Sequence, residues 1–301
     1  MKKSDARFSS SFSCFCQGRL LFFPPKRKHN SHLRSGNSPQ YAGNCHALRH
    51  RPDRTFGRGL RPLRSLRKTL QPHAAGKRNL PAEPRRDQRG FLETSELIQI
   101  GLSYGELSEG AFDISIEPVS SLWDFTSGDA VIPDEKELAE AVALVDYRKV
   151  HVNGNTVTFD TPGMGLDLGA IAKGYIADRI KEYLKKEGVE HALINLGGNI
   201  LCLGDKPEGT AFRIGVQKPF GEATETLTIC PIEDQSLVSS GTYERFFRKD
   251  GRIYHHILNP KTGYPYDNGL TAVTIRSDDS LTGDALSTTV FALGEEKGWS
   301  F

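Results

Sequence analysis

A carboxylate and a hydroxyl stand four residues apart in Thr282-Gly283-Asp284-Ala285-Leu286-Ser287-Thr288-Thr289. On a helix that spacing sends Asp284 and Thr288 from one face, and both are hard oxygen donors of the kind Mg²⁺ takes. Taken alone, the pair reads first as a helix-end carboxylate and a packed threonine. A second segment shifts the balance. Asp167-Leu168-Gly169-Ala170-Ile171-Ala172-Lys173-Gly174-Tyr175 joins a capping carboxylate, a lysine and two glycines at the expected start of another helix. Capping accounts for Asp167 but not for the glycines, each of which costs a helix about 1 kcal/mol relative to alanine. Close approach by a ligand or by another backbone would offset that cost. A metal beside a helix N-terminus is a setting for a pyrophosphate, and Gly283 and Ala285 around Asp284 predict room for a bulky ligand.

Three further segments carry polar or backbone groups that chemistry could use. Leu193 to Asn199 couples an apolar strand to the turn Gly197-Gly198, which admits positive φ and reads first as a tight turn. Ser239-Ser240-Gly241-Thr242-Tyr243-Glu244 fits either a hydroxyl-lined loop or a bulged strand. His255-His256 falls in an expected strand, where neighbouring side chains face opposite sides, so at most one ring enters a pocket. His256 is the site candidate, and the turn-rich Asn259-Pro260-Lys261-Thr262-Gly263-Tyr264-Pro265 beside it is a possible wall for an aromatic ligand.

These residues need elements to hold them. Apolar spacing predicts helices from about Thr94 to Leu107, from Asp134 to Val145 behind Pro133, and from Asp167 to Lys186 with Gly188 as its stop. A last helix begins near Leu281. A hairpin is expected across Asn153-Gly154-Asn155, and strands at 191–195, 199–203, 212–217, 224–230, 237–239, 253–257 and 270–276. Helices interleaved with a strand-rich centre indicate an α+β fold, a largely antiparallel sheet with flanking helices.

Charge divides the 301 residues in two. Residues 1–89 hold 21 Lys and Arg against 4 Asp and Glu, leaving the rest with 18 of the 39 basic and 33 of the 37 acidic residues. The basic segment shows no sustained periodicity and reads as disordered; residues 90–301 read as the domain. Nucleic-acid binding through the basic head is disfavoured by the acidic remainder. No export signal or membrane-spanning run is visible, and Cys202 and Cys230 read as buried thiols.

Taken in order, Gly110-Ala111-Phe112-Asp113, Asp167 through Gly174 with Asp178, Asn195 to Asn199, Ser240 to Tyr243, His256 through Gly263 with Pro265, and Asp284 through Thr288 resemble the flavin transferases of the ApbE family, the FAD:protein FMN transferases. The resemblance implies cleavage of the FAD pyrophosphate with Mg²⁺ and transfer of FMN to a threonine hydroxyl of an acceptor subunit in a membrane redox complex, with release of AMP. It implies FAD contacts at Ala111, Phe112, Asp113, Asp167, Lys173 and Leu258. Metal ligation falls to the Ala170 carbonyl, Asp284 and Thr288, and His256 lies near the pyrophosphate. It further implies a bacterial periplasmic or lipoprotein setting. The family's usual leader, first strand and first helix are not recognisable in residues 1–89, and the usual C-terminal strand and helix are not seen. This pattern predicts a mis-started or damaged product. An FAD pyrophosphatase using water as acceptor, and a flavin-binding or inert remnant, are the competing expectations.

Overall fold

The computed structural model describes residues 43–47, 88–222 and 224–301. Its centre is a five-stranded, wholly antiparallel sheet in the order β1 (Gly43–Ala47), β4 (Ala192–Leu196), β5 (Asn199–Leu203), β8 (Ser236–Gly241) and β11 (Ala272–Ser277). Three separate two-stranded ribbons join β2 (Val150–Asn153) to β3 (Thr156–Phe159), β6 (Phe212–Gln217) to β7 (Thr226–Ile232), and β9 (Phe246–Lys249) to β10 (Arg252–His255). The helices are α1 (Gln88–Leu107), a short α2 (Glu117–Ser120), α3 (Glu135–Val142), α4 (Ala172–Lys186) and α5 (Ser280–Ser300). The α+β expectation is met.

Two helices cover the sheet and carry the site. Helix α4 lays Ala177, Ile180 and Leu184 on Ala192, Ile194, Leu201 and Leu203, so the apolar face expected at helical period is its sheet-facing side. Its stop is Gly188, at φ +73°, where the Gly188 and Val189 amides close onto the Lys185 and Leu184 carbonyls. Helix α5 packs on β8 and β11 and crosses α4. It begins behind Asp279, whose carboxylate accepts the Thr282 amide at 2.7 Å, and it kinks at Gly294, where φ is +79°. Helix α3 starts the same way, with Asp134 accepting from the Lys136 and Glu137 amides.

Several expectations need correction. Helix α4 starts at Ala172 rather than at Asp167. The Asp167 carboxylate is engaged by the Gly169 amide and the Ser120 hydroxyl, and Ile171 has non-helical angles, so 167–171 form a turn leading into the helix. Strand β9 was not expected, and β10 ends at His255, leaving His256 outside it. Within the segment expected to be disordered, Gly43–Ala47 forms a strand and α1 begins at Gln88; the rest of that expectation lies outside the described residues. Among the described residues, no helix is long and apolar enough to cross a membrane. Cys202 is fully buried, which pushes its thiol up to about 12, while Cys230 is partly exposed.

Candidate active site

Asp284 is the buried charge around which the site is built. It sits on the second turn of α5 with 2% of its surface exposed, turned toward the first turn of α4. One carboxylate oxygen, Oδ2, accepts the Gly174 amide of α4 at 2.8 Å; the other, Oδ1, faces Lys173 Nζ at 3.7 Å, an ion pair longer than a hydrogen bond. Burial pushes the Asp284 carboxyl above the ordinary carboxylate range, against the pull of Lys173 and of the Gly174 amide. Asn199, fully buried on β5, brings its Nδ2 toward the same carboxylate without closing a hydrogen bond, and among the described residues that nitrogen has no hydrogen-bond partner. A buried carboxylate with one oxygen held and the other loosely paired retains lone pairs for a cation.

Thr288 lies one turn further along α5, at the rim. Its hydroxyl is 3.2 Å from Ser240 Oγ on β8, which also bonds Ser287 Oγ at 2.8 Å. Ala170 sits in the turn before α4, packed against the cluster that contains Phe112, Ile171 and Ala285. These are oxygen donors with a single negative charge among them. Mg²⁺ commonly takes one or two carboxylates and completes its shell with substrate phosphates and water, so the donor set fits that ion in company with a pyrophosphate. Among the described residues there is no cluster of three or more His, Cys, Asp or Glu able to hold a metal unaided.

The small residues around Asp284 serve packing rather than ligand space. A Cβ on Gly283 would meet Ser277 Oγ at 2.7 Å and Val238 Cγ2 at 2.9 Å, and Ala285 is fully buried in the core. Gly174 is likewise a helix contact: a Cβ there would run into the Ser280 carbonyl oxygen and stand 2.7 Å from Leu281 Cα. Of the two offsets weighed for that glycine, close approach of another backbone is the one present. Gly197 and Gly198, at φ +65° and +90°, make the tight turn joining β4 to β5.

The charge of Lys173 reaches His256 and Glu244 as well as Asp284, so these side chains share one neighbourhood. The His256 Nδ1 lies 3.3 Å from the Arg245 carbonyl oxygen, a contact that an N–H satisfies, which leaves Nε2 as the open nitrogen. Burial, reinforced by the cations of Arg245 and Lys173, drives the imidazole down to about 3. His255, by contrast, is buried in the core, with Nε2 on the Tyr266 carbonyl and its ring edge-on to Phe291.

The other predicted flavin positions are anchored inside the protein. Phe112 is buried against Tyr104, and the Asp113 carboxylate accepts from the Ser115 amide and hydroxyl and from the Tyr147 amide, tying two 3₁₀ turns together. The Ala111 carbonyl accepts the Tyr266 hydroxyl. Asp167 joins this region through its amide, which donates to the Ile114 carbonyl at 2.8 Å, so the turn before α4 meets the segment that carries Ala111 to Asp113. Leu258 is buried with Val119, Trp123 and Leu138, bridged to Pro265. The loop from Asn259 to Pro265 closes on this cluster, where the Trp123 indole donates to the Gly263 carbonyl. Asp167, Ala170, Lys173, Asp284, Thr288 and His256 thus come from adjoining segments. The side chains of Phe112, Asp113 and Leu258 stabilise the surrounding frame. Spacing gave Asn199 and Ser240 only as members of longer motifs; their pairing with α5 depends on the crossover between β5 and β8.

A sequence profile of the ApbE family matches residues 79–301. The FAD:protein FMN transferase of Klebsiella pneumoniae (strain 342) is 45% identical over 205 residues, covering 67% of this chain and 63% of that protein. The FAD:protein FMN transferase of Treponema pallidum (strain Nichols) is 38% identical over 216 residues, covering 67% and 60%. The chain therefore spans a little over three fifths of the length of these relatives. Among solved structures, the ApbE protein of Thermotoga maritima superposes with a TM-score of 0.63 at 32% identity, covering 73% of this chain and 71% of that one. The flavin transferase ApbE of Vibrio cholerae gives a TM-score of 0.61 at 31% identity, covering 69% and 67%. With three quarters of its length inside the profile and the same fold in solved relatives, the chain belongs to the ApbE family.

Proposed function

We propose that this chain transfers FMN from FAD to the hydroxyl of a threonine on an acceptor flavoprotein and releases AMP, with Mg²⁺ required. The observation that carries the reading is the Asp284 carboxylate, buried, held by one oxygen on the Gly174 amide and shared by the other with Lys173. It stands in a chain related to proteins named for this activity. Asp284, Thr288 and the Ala170 carbonyl would hold the ion, which when bound neutralises charge building on the phosphoryl oxygens. Ala111, Phe112, Asp113, Asp167, Lys173 and Leu258 belong to the segments assigned to FAD, with Lys173 the cation closest to the buried carboxylate.

In the transfer, the threonine oxygen attacks the FMN phosphorus, the bond from that phosphorus to the bridging oxygen breaks, and AMP departs with that oxygen. The hydroxyl proton must leave as attack proceeds. Asp284 is the carboxylate assigned to help activate the hydroxyl, and His256, kept neutral with Nε2 open, is assigned to a place near the pyrophosphate, where it can hydrogen-bond without taking up the proton. The acceptor is assigned to a membrane redox complex and the site of action to the bacterial periplasm, both from the family.

Incubating the chain with FAD, Mg²⁺ and a threonine-bearing acceptor tests the reading: a fluorescent acceptor band with equimolar AMP is expected, and Asp284→Ala should lower its rate by at least about a hundredfold. AMP and FMN released without a labelled acceptor would replace transfer by hydrolysis. FAD binding without AMP release would make the chain a flavin binder, and undiminished transfer by Asp284→Ala would remove that residue's role.

A further inference from the structure

Helices α4 and α5 exchange carboxylates. Asp284 of α5 accepts the amide of Gly174, in the first turn of α4, one of the N–H groups that a helix cannot satisfy internally. In return Asp178, one turn further along α4, places Oδ1 2.8 Å from the Ser280 amide and Oδ2 2.8 Å from the Leu281 amide, the first two of α5. At the crossing no side chain intervenes, because Gly174 abuts the backbone of Ser280 and Leu281. The Ser280 hydroxyl is tied in turn to Asn199 Oδ1 and, at 3.1 Å, to Ser236 Oγ on the sheet. The start of α5 is therefore gripped from α4 and from the sheet, in addition to its own cap Asp279.

We infer that Asp178 is a positioning residue for the cation site: by fixing the first turn of α5 on α4, it sets where Asp284 Oδ1 and Thr288 stand relative to Lys173 and the Ala170 turn that leads into α4. Both Asp178 oxygens are occupied by amides, so it acts through α5 and not as a ligand. This rests on the assignment of Asp284 and Thr288 to Mg²⁺ made above. Groups behind a metal's ligands orient them, and losing one weakens metal binding roughly tenfold to a hundredfold. Asp279 supplies the contrast. It caps the same helix end through the Thr282 amide without bridging to α4, so its removal loosens the helix but leaves the clasp intact.

The test is calorimetric titration of Mg²⁺ into the full chain saturated with FAD, for wild type, Asp178→Asn and Asp279→Ala, alongside thermal unfolding of each. In Asp178→Asn the side-chain NH₂ opposes a backbone N–H, so one of the two bonds is replaced by a donor-donor contact. The Mg²⁺ dissociation constant should rise roughly tenfold or more in Asp178→Asn and stay within about twofold in Asp279→Ala, although both melt earlier. An unchanged constant in Asp178→Asn, or equal rises in both variants, overturns the inference. If Asp178→Asn does not fold, Asp178→Ser, which retains one short acceptor, is titrated under the same two criteria. Wild type that takes up no Mg²⁺ overturns the cation assignment and this inference with it, a result distinct from a wild type that binds the ion and a variant that binds it equally well.

Discussion

At the scale of single residues, the site separates a buried carboxylate from a neutral imidazole. His256 has a folded pKa of about 3 against an ordinary 6.5, so between those values the unfolded chain binds a proton that the folded chain refuses. Stability contributed by keeping this ring neutral is therefore complete above about pH 6.5 and is lost as pH falls toward 3. His256→Gln should show a smaller drop in melting temperature across that window than wild type, while His255, also depressed by burial, continues to contribute in both. The same ring should give no titrating imidazole resonance between pH 5 and 8. A resonance moving with a midpoint near 6.5 would mean that His256 is solvated and works as a cation.

At the scale of elements, glycine decides how closely α4 and α5 approach. Alanine at position 174 gains about 1 kcal/mol of helix propensity, yet its Cβ would press on the Ser280 carbonyl and the Leu281 Cα. Overpacking of that kind costs about 1 to 3 kcal/mol, and its upper end applies because the obstructing atoms are backbone. Gly174→Ala should therefore be net destabilised by about 1 to 2 kcal/mol in urea denaturation; a stabilised variant would show that the crossing is looser. The sequence could indicate that Gly174 needs a reason, but not which reason, because the opposing backbone arrives from 106 residues later. Local signals were legible where local physics decides: a helix start behind Pro133, another near Leu281, Gly188 as a stop, and the Asn153-Gly154 hairpin, whereas the caps Asp134 and Asp279 emerge only in the structure. Asp250-Gly251, both at positive φ, was an equally local hairpin signal between β9 and β10 that periodicity alone did not use. Asp167 misled because a capping carboxylate serves a turn as well as a helix. The clasp by Asp178 was not legible at all, since nothing near Asp178 in sequence announces Ser280.

At the scale of the whole molecule, the basic segment and the family domain meet at a sheet edge. Strand β1 pairs with β4 from Gly43 opposite Leu196 to Ala47 opposite Ala192, and it precedes the residues matched to the family. A chain shortened to residues 79–301 would leave the outer edge of β4 with unpaired amides and carbonyls, a template for strand pairing between copies. Shortening also changes the charge. Residues 1–78 hold 18 Lys and Arg against 2 Asp and Glu, so the remainder carries 21 basic against 35 acidic residues, and copies of it repel one another. These opposing effects separate by ionic strength, because raising salt shortens the screening length to about 3 Å at 1 M and removes repulsion while leaving strand pairing nearly untouched. The shortened chain should melt earlier than the full one and should sediment as a monomer at low salt and as larger species at high salt. Monomeric behaviour at every salt concentration, with an unchanged melting temperature, would mean that Gly43–Ala47 contributes nothing to the sheet and that residues 79–301 close the β4 edge without it.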